Sequence, residues 1–303
     1  MRTAFIETLV DLASRDDRIW LLCGDLGFSV LERFACRFPD RFLNAGVAEQ
    51  NMTGVAAGLA HSGKIVFTYS IANFPTLRCY EQIRNDVCYH NLNVKIVAVG
   101  AGYSYGPQGY THHGVEDLAV TRVLPNLTVF SPADPVEAEL CTRAAVEHAG
   151  PVYIRIGKAG EPVIHRHRPD WSPGRLIPLR EGPDGALFAT GAALRLALEA
   201  ADALASTGAA VAVWSVPSLA PLDAAAIASE SRRTGKVLTI EEHGLGGLAS
   251  AVAEIVAEHA PGTRFRPVRL PREPITIAGS QRYLADGQGL SVEAICAAFR
   301  SLK

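Results

Sequence analysis

The chain has 303 residues, 48% of them hydrophobic and 20% charged, enough for one large or two ordinary domains with their own cores. A formal net charge of −2 excludes the basic footprint of a nucleic-acid binder and the polybasic patch of a membrane-surface protein. The six cysteines, Cys23, Cys36, Cys79, Cys88, Cys141 and Cys296, include no C-x-x-C pair; they fit neither a disulfide framework nor a zinc site and suit a reduced, intracellular setting.

The first stretch, MRTAFIETLVDLA, carries Glu7 and Asp11 inside its apolar pattern. It reads as a helix over 3–14, not as a signal peptide or membrane span, and points to a cytoplasmic protein. Short β-branched runs follow at 19–23, 64–69, 94–99, 127–130 and 152–156, alternating with helix-period stretches at 47–61, 74–90 and 135–148. Such alternation predicts a mostly parallel sheet covered on both faces. The segment after Lys158 is rich in Pro, Gly, Arg and His and holds no sustained period, which suits a linker. Strands are then expected at 185–190, 209–216, 236–242 and 264–270, with helices near 192–206, 223–233, 247–259 and 290–301. The fold class is α/β: a domain over 1–157, a linker over 158–182, and a domain over 183–303, each a mostly parallel sheet flanked by helices.

Residues 42–60, FLNAGVAEQNMTGVAAGLA, place one carboxylate, Glu49, before a helix of small residues. Local pattern alone favours a helix-end role, with Asn44 or Gly46 as cap and Glu49 complementing the helix dipole. That role leaves Gly54 and Gly58 unexplained. They share one helix face and cost about 1 kcal/mol each in helix propensity, yet they let another backbone or a flat ligand come close.

The wider order of motifs decides between these readings. GDL, NAGVAEQNMTGVAAGLA, ANF, EQIRN, GPQGYTHHGVEDLA, LPNLTVFSPADPVEAE and GPVYIRIGK occur in that sequence. ATGAALRLALEAADAL, PSLAPLD and TGKVLTIEEHGLGGLASAVAE follow. Over nearly its whole length the chain resembles the C-terminal half of the transketolase superfamily, a pyrimidine-binding domain followed by the transketolase C-terminal domain. The resemblance implies that Glu49 bonds the aminopyrimidine N1′ of thiamine diphosphate. A carboxylate there lets the ring's 4′-nitrogen take the proton from the thiazolium C2, and the cofactor serves as electron sink. Phe74 and Ile71 in YSIANF would pack the ring, with Asp25 and Leu26 close to it. Arg2, Ser29 and Lys158 match positions that grip a sugar phosphate, and His112 matches the histidine near the reacting carbonyl.

Two positions depart from the family pattern. Gln108 in GPQG stands where an aspartate commonly contacts a donor hydroxyl, and Gly100 stands where a histidine is common. An amide donates and accepts but carries no charge, so a donor or acceptor other than the usual pentose and hexose phosphates is expected.

The resemblance also implies a missing half. Thiamine enzymes hold the diphosphate through a metal bound at a GDG turn and a later Asn; GDLG with Asn44 lacks the second Gly, and a sequence that starts almost at Arg2 is expected to leave no room for that domain. An N-terminal transketolase-like subunit is therefore expected to hold the diphosphate and its Mg²⁺ or Ca²⁺, in an α2β2 heterotetramer with homodimeric contacts and with Gly54 and Gly58 at an interface. No metal site is assigned to this chain itself. The alternatives are a subunit like the β chain of 2-oxo acid dehydrogenases, one like deoxyxylulose-phosphate synthase, or a non-catalytic partner. Three further motifs carry no chemistry: HRH at 165–167 lies in the linker, GLGG at 244–247 lacks dinucleotide spacing, and EEH ending at His243 is expected to face the subunit interface.

Overall fold

The computed structural model describes residues 1–302. The first half runs α1 (Arg2–Ala13), β1 (Ile19–Cys23), α2 (Glu32–Arg37), β2 (Phe42–Asn44), α3 (Glu49–His61), β3 (Ile65–Ile71), α4 (Tyr80–Gln82), β4 (Val94–Val99), α5 (Asp117–Thr121), β5 (Thr128–Phe130), α6 (Pro135–Glu147) and β6 (Val152–Ile156). The second runs β7 (Ile177–Arg180), β8 (Ala186–Ala189), α7 (Ala193–Ala205), β9 (Ala212–Ser215), β10 (Ser218–Ala220), α8 (Ala224–Thr234), β11 (Lys236–Ile240), α9 (Leu248–His259), β12 (Arg264–Val268), α10 (Gln281–Gly287) and α11 (Val292–Ser301). The expected α/β class with mostly parallel sheets is what forms.

The first sheet has seven strands in the order β10-β5-β6-β4-β3-β1-β2, and the second has five in the order β12-β11-β8-β9-β7. All pairings are parallel except β10 with β5 and β7 with β9. Strands β3, β4 and β6 are buried on both faces because helices cover both sides, so they read as mostly hydrophobic runs, interrupted by the buried Thr68, Ser70, Lys95 and Arg155. Helix α1 lays Phe5, Ile6 and Leu9 onto one face, with the Phe5 ring 6.0 Å from both Phe67 and Tyr69 of β3. Helix α3 packs Met52, Thr53, Ala56, Ala57 and Ala60 inward, so its small side chains bring it close to the sheet.

Four expectations need correction. The stretch 74–90 is not one helix: tight turns lead to the three-residue α4 and a π-helical turn, Ile83–Cys88. Residues 177–180, read within the linker, form β7 on the edge of the second sheet. Neither Asn44 nor Gly46 caps α3; the N-cap is Ala48, with no side-chain bond. The EEH segment does not face outward, since Glu241, Glu242 and His243 are buried against the first domain. The short β10 also returns from the second half to pair with β5, which no local periodicity announces.

Candidate active site

Register alignment gathers the candidate residues on one edge of the first sheet. Cys23 pairs with Tyr69, Ile71 with Val99, and Val99 with Ile156, so β1, β3, β4 and β6 end side by side. Asp25 to Ser29, Ile71 to Phe74, Gly100 to His112 and Lys158 leave from those ends, and Glu49 follows the end of β2. In open parallel sheets this carboxyl edge is where ligands bind. Arg2 reaches the same edge because α1 runs antiparallel to the strands, which brings its first turn against Tyr69 and Tyr105.

At the floor lies Glu49, 1% exposed. Its Oε1 accepts a hydrogen bond from Ser70 Oγ at 3.1 Å, and its Oε2 meets Arg78 Nη1 at 2.6 Å. A Cβ on Gly24 would stand 3.2 Å from both Glu49 Cγ and Oε1, so the bare glycine makes room for this carboxylate. Asp25 and Asn44 close the neighbouring turn reciprocally: Asp25 N–H donates to Asn44 Oδ1 and Asn44 Nδ2 to Asp25 Oδ1, both at 3.0 Å. Leu26 and Ile71 are half-buried beside them.

From Glu49 a line of contacts runs to the basic end. The Arg78 guanidinium lies 4.6 Å from the Phe74 ring centroid, and Phe74 meets the His112 ring edge-on at 5.3 Å. His112 lies 6.1 Å from the Tyr105 ring, over which Lys158 Nζ sits at 4.8 Å. Burial holds the His112 imidazole below its ordinary pKa, so the neutral ring, bonded through Nδ1 to Thr111 Oγ1 at 2.9 Å, both donates and accepts near neutrality. Asn73 ties this loop down, its Nδ2 donating to the carbonyls of Thr111 at 3.3 Å and His113 at 2.6 Å. His113 points away from the groove and is buried against Tyr103, with ring centroids 4.9 Å apart.

Ser29, at φ +63°, sits exposed in its loop, and its amide donates to Glu32 Oε1 at 2.8 Å. Gln108 is exposed on the short turn 106–108. Gly100 has a local reason: at φ +101°, a Cβ there would lie 2.2 Å from Tyr105 Cδ2. The Tyr105 ring has taken that space. Sequence reasoning missed Arg78, Ser70, Asn73 and Tyr105.

The metal-like HRH motif resolves into an ion pair, with His165 Nε2 2.7 Å from the buried Glu137 Oε1. Among the described residues, no group of three or more His, Cys, Asp or Glu side chains is placed to hold a metal ion. No helix of the described residues is long and apolar enough to cross a membrane.

Comparison with known proteins matches the chain in two parts. Residues 1–160 match the model of the transketolase pyrimidine binding domain, and residues 174–295 that of the transketolase C-terminal domain. The chain belongs to the transketolase family. It is 38% identical over 268 residues to an apulose-4-phosphate transketolase subunit of Actinobacillus succinogenes, covering 86% of this chain and 85% of that protein. To the 6-deoxy-6-sulfo-D-fructose transketolase subunit SqwH of a Clostridium species it is 36% identical over 297 residues, covering 97% and 92%. A solved split-gene transketolase, an inactive beta4 tetramer, superposes with a TM-score of 0.91 at 40% identity, covering 99% of this chain and 97% of that one. These relatives are subunits of split transketolases, so the expected family and its transketolase-like transferase activity with a partner subunit are borne out. The family implies thiamine diphosphate as cofactor.

Proposed function

We propose that this chain supplies the pyrimidine and substrate contacts of a two-carbon ketol transferase. An N-terminal partner holds the diphosphate and its Mg²⁺ in an α2β2 assembly. The observation that carries this reading is Glu49: a carboxylate buried at 1% exposure that caps no helix and is held instead by Ser70 and by Arg78, whose guanidinium lies on the Phe74 ring. The residues fit the cofactor's ring, since Gly24 leaves space for the carboxylate and Phe74, Leu26 and Ile71 offer apolar faces. When bound, thiamine diphosphate supplies the electron sink for the transferred two-carbon unit.

The chain's own groups have distinct tasks in this reading. Glu49 holds the proton shared with the ring nitrogen N1′, with Ser70 fixing its other oxygen. His112 donates to or accepts from the donor near its reacting carbonyl. Arg2 and Lys158 supply cationic charge to a phosphate, and Ser29 a hydroxyl. Tyr105, between His112 and Lys158, spaces the reacting end from the phosphate end. With Gln108 and Gly100 replacing charged or aromatic donor contacts, the preferred ketose phosphate differs from xylulose 5-phosphate.

Co-expression with the N-terminal partner and assay on a panel of ketose phosphates tests this. Partner-dependent ketol transfer, with xylulose 5-phosphate a poor donor, is the expected result. Ordinary turnover of xylulose 5-phosphate would remove the altered-donor reading, and an active chain without a partner would remove the split site.

A further inference from the structure

The two groups assigned to the cofactor ring already share one occupant. Arg78 Nη1 lies 2.6 Å from Glu49 Oε2, and the same guanidinium sits 4.6 Å from the Phe74 centroid. A flat, positively charged, hydrogen-bonding group thus lies on the carboxylate and the aromatic face together. An aminopyrimidine is also flat and needs both surfaces, because its edge bonds the carboxylate while its face packs on the ring. The guanidinium and the pyrimidine cannot both use Glu49 Oε2 and the face of Phe74.

The surroundings suit a movable occupant. The Arg78 side chain is 42% exposed although Glu49 is 1% exposed, so the arm lies between the buried carboxylate and water. Gln50 Nε2 holds the Arg78 carbonyl at 3.0 Å, which fixes the backbone while the side chain stays free to turn outward. Ser70 keeps Glu49 Oε1 bonded whether or not the arginine is in place. Arginine matches this task better than lysine, because its planar fork both pairs with a carboxylate and stacks on a ring.

We propose that Arg78 occupies the ring site while the cofactor is absent, compensating the buried Glu49 charge, and swings toward solvent when the aminopyrimidine enters. This rests on the assignment of Glu49 and Phe74 to the ring and adds a gating residue to it. The arginine stabilises the empty site and competes with loading, so replacing it moves two measurements in opposite directions. A residue that only supports the fold would lower both.

The test compares wild type, Arg78→Gln and Arg78→Lys, each assembled with the N-terminal subunit. Thiamine diphosphate with Mg²⁺ is titrated by calorimetry, and the melting temperature of each cofactor-free assembly is recorded. Arg78→Gln is expected to lower the cofactor-free melting temperature and to tighten cofactor binding by about fivefold, the equivalent of losing one partly exposed ion pair. Arg78→Lys keeps the charge without the fork and should fall between; it also serves if the glutamine variant does not assemble. Binding weakened or unchanged in both variants would overturn the gating role while leaving the cofactor site intact. Failure of the wild-type assembly to bind would overturn the cofactor reading and this proposal together.

Discussion

Glu49 and Glu241 are both buried carboxylates beside the N-terminus of a helix, yet they do opposite things. Glu241 spends both oxygens on the backbone, accepting from Leu248 N at 2.7 Å and Ala249 N at 2.8 Å, and so caps α9. Glu49 sits in the first turn of α3, accepts no cap bond there, and faces Ser70 and a half-exposed arginine. The helix-end role that local pattern assigns to Glu49 is thus played by Glu241 in the other domain. A carboxylate whose lone pairs are used by backbone amides is structural; one held by side chains at the edge of a groove is available to a ligand.

The regions around them differ in the same way. Behind Glu241, Arg155 joins the domains, donating from Nε to Asp117 Oδ2 at 2.9 Å and from Nη2 to Gly114 O at 2.6 Å and Glu242 O at 3.0 Å. Tyr153 OH donates to the same Asp117 oxygen, and Leu118 N–H donates to His243 Nε2 at 3.0 Å. This seam anchors the segment that carries His112. The groove side instead leaves exposed chemistry, including Arg78 and the open face of α3.

The comparison can be broken first at the seam. Arg155→Leu leaves the buried Asp117 without its ion-pair partner, and chemical denaturation should show a loss of about 3–5 kcal/mol. Glu241→Gln keeps the shape but weakens the cap, for an expected loss of roughly 1–3 kcal/mol in the same measurement, with ketol transfer in the assembled enzyme little changed. Gly54→Ala and Gly58→Ala should stabilise the isolated chain by about 1 kcal/mol each, because nothing lies within 4 Å of an added Cβ. In the assembled enzyme the same substitutions should weaken subunit association, measured by sedimentation, if that face is an interface.

The seam also predicts a pH dependence. Burial lowers the His243 pKa to about 4 from 6.5, so the folded protein keeps the ring neutral while the unfolded chain protonates it. Its contribution is present above pH 6.5 and lost as pH falls toward 4. Burial raises Glu241 to about 7, so that group's contribution is lost in the other direction, as pH rises from 4.5 to 7. Stability curves for wild type and His243→Asn should therefore converge as the pH drops from 7 to 4.5. A deficit constant across that range would show that His243 is not buried neutral.

Much of the fold was legible because β3, β4 and β6 are mostly apolar, fully or nearly fully buried strands and α1, α6 and α9 keep clear helical periods. Ordered motifs across both domains located the groove, since the carboxyl ends of parallel strands must come together once the sheet forms. What stayed hidden depends on contacts distant in sequence. β10 comes from the second half of the chain to pair with β5 of the first, and β7 pairs with β9, which lies more than 30 residues further on. Arg78 was invisible as an ion-pair partner because Glu49 lies 29 residues away and meets it across the turn after β3. Gly100 reads as a lost contact until Tyr105 is seen filling its space.

The most direct measurement is ketol transfer by the assembled enzyme carrying Glu49→Gln, with its melting temperature read alongside. Losing the shared proton at N1′ should cut the rate by about 10²–10⁴-fold while the fold holds. Undiminished cofactor-dependent turnover in Glu49→Gln would contradict the account, because Glu49 would then be as structural as Glu241.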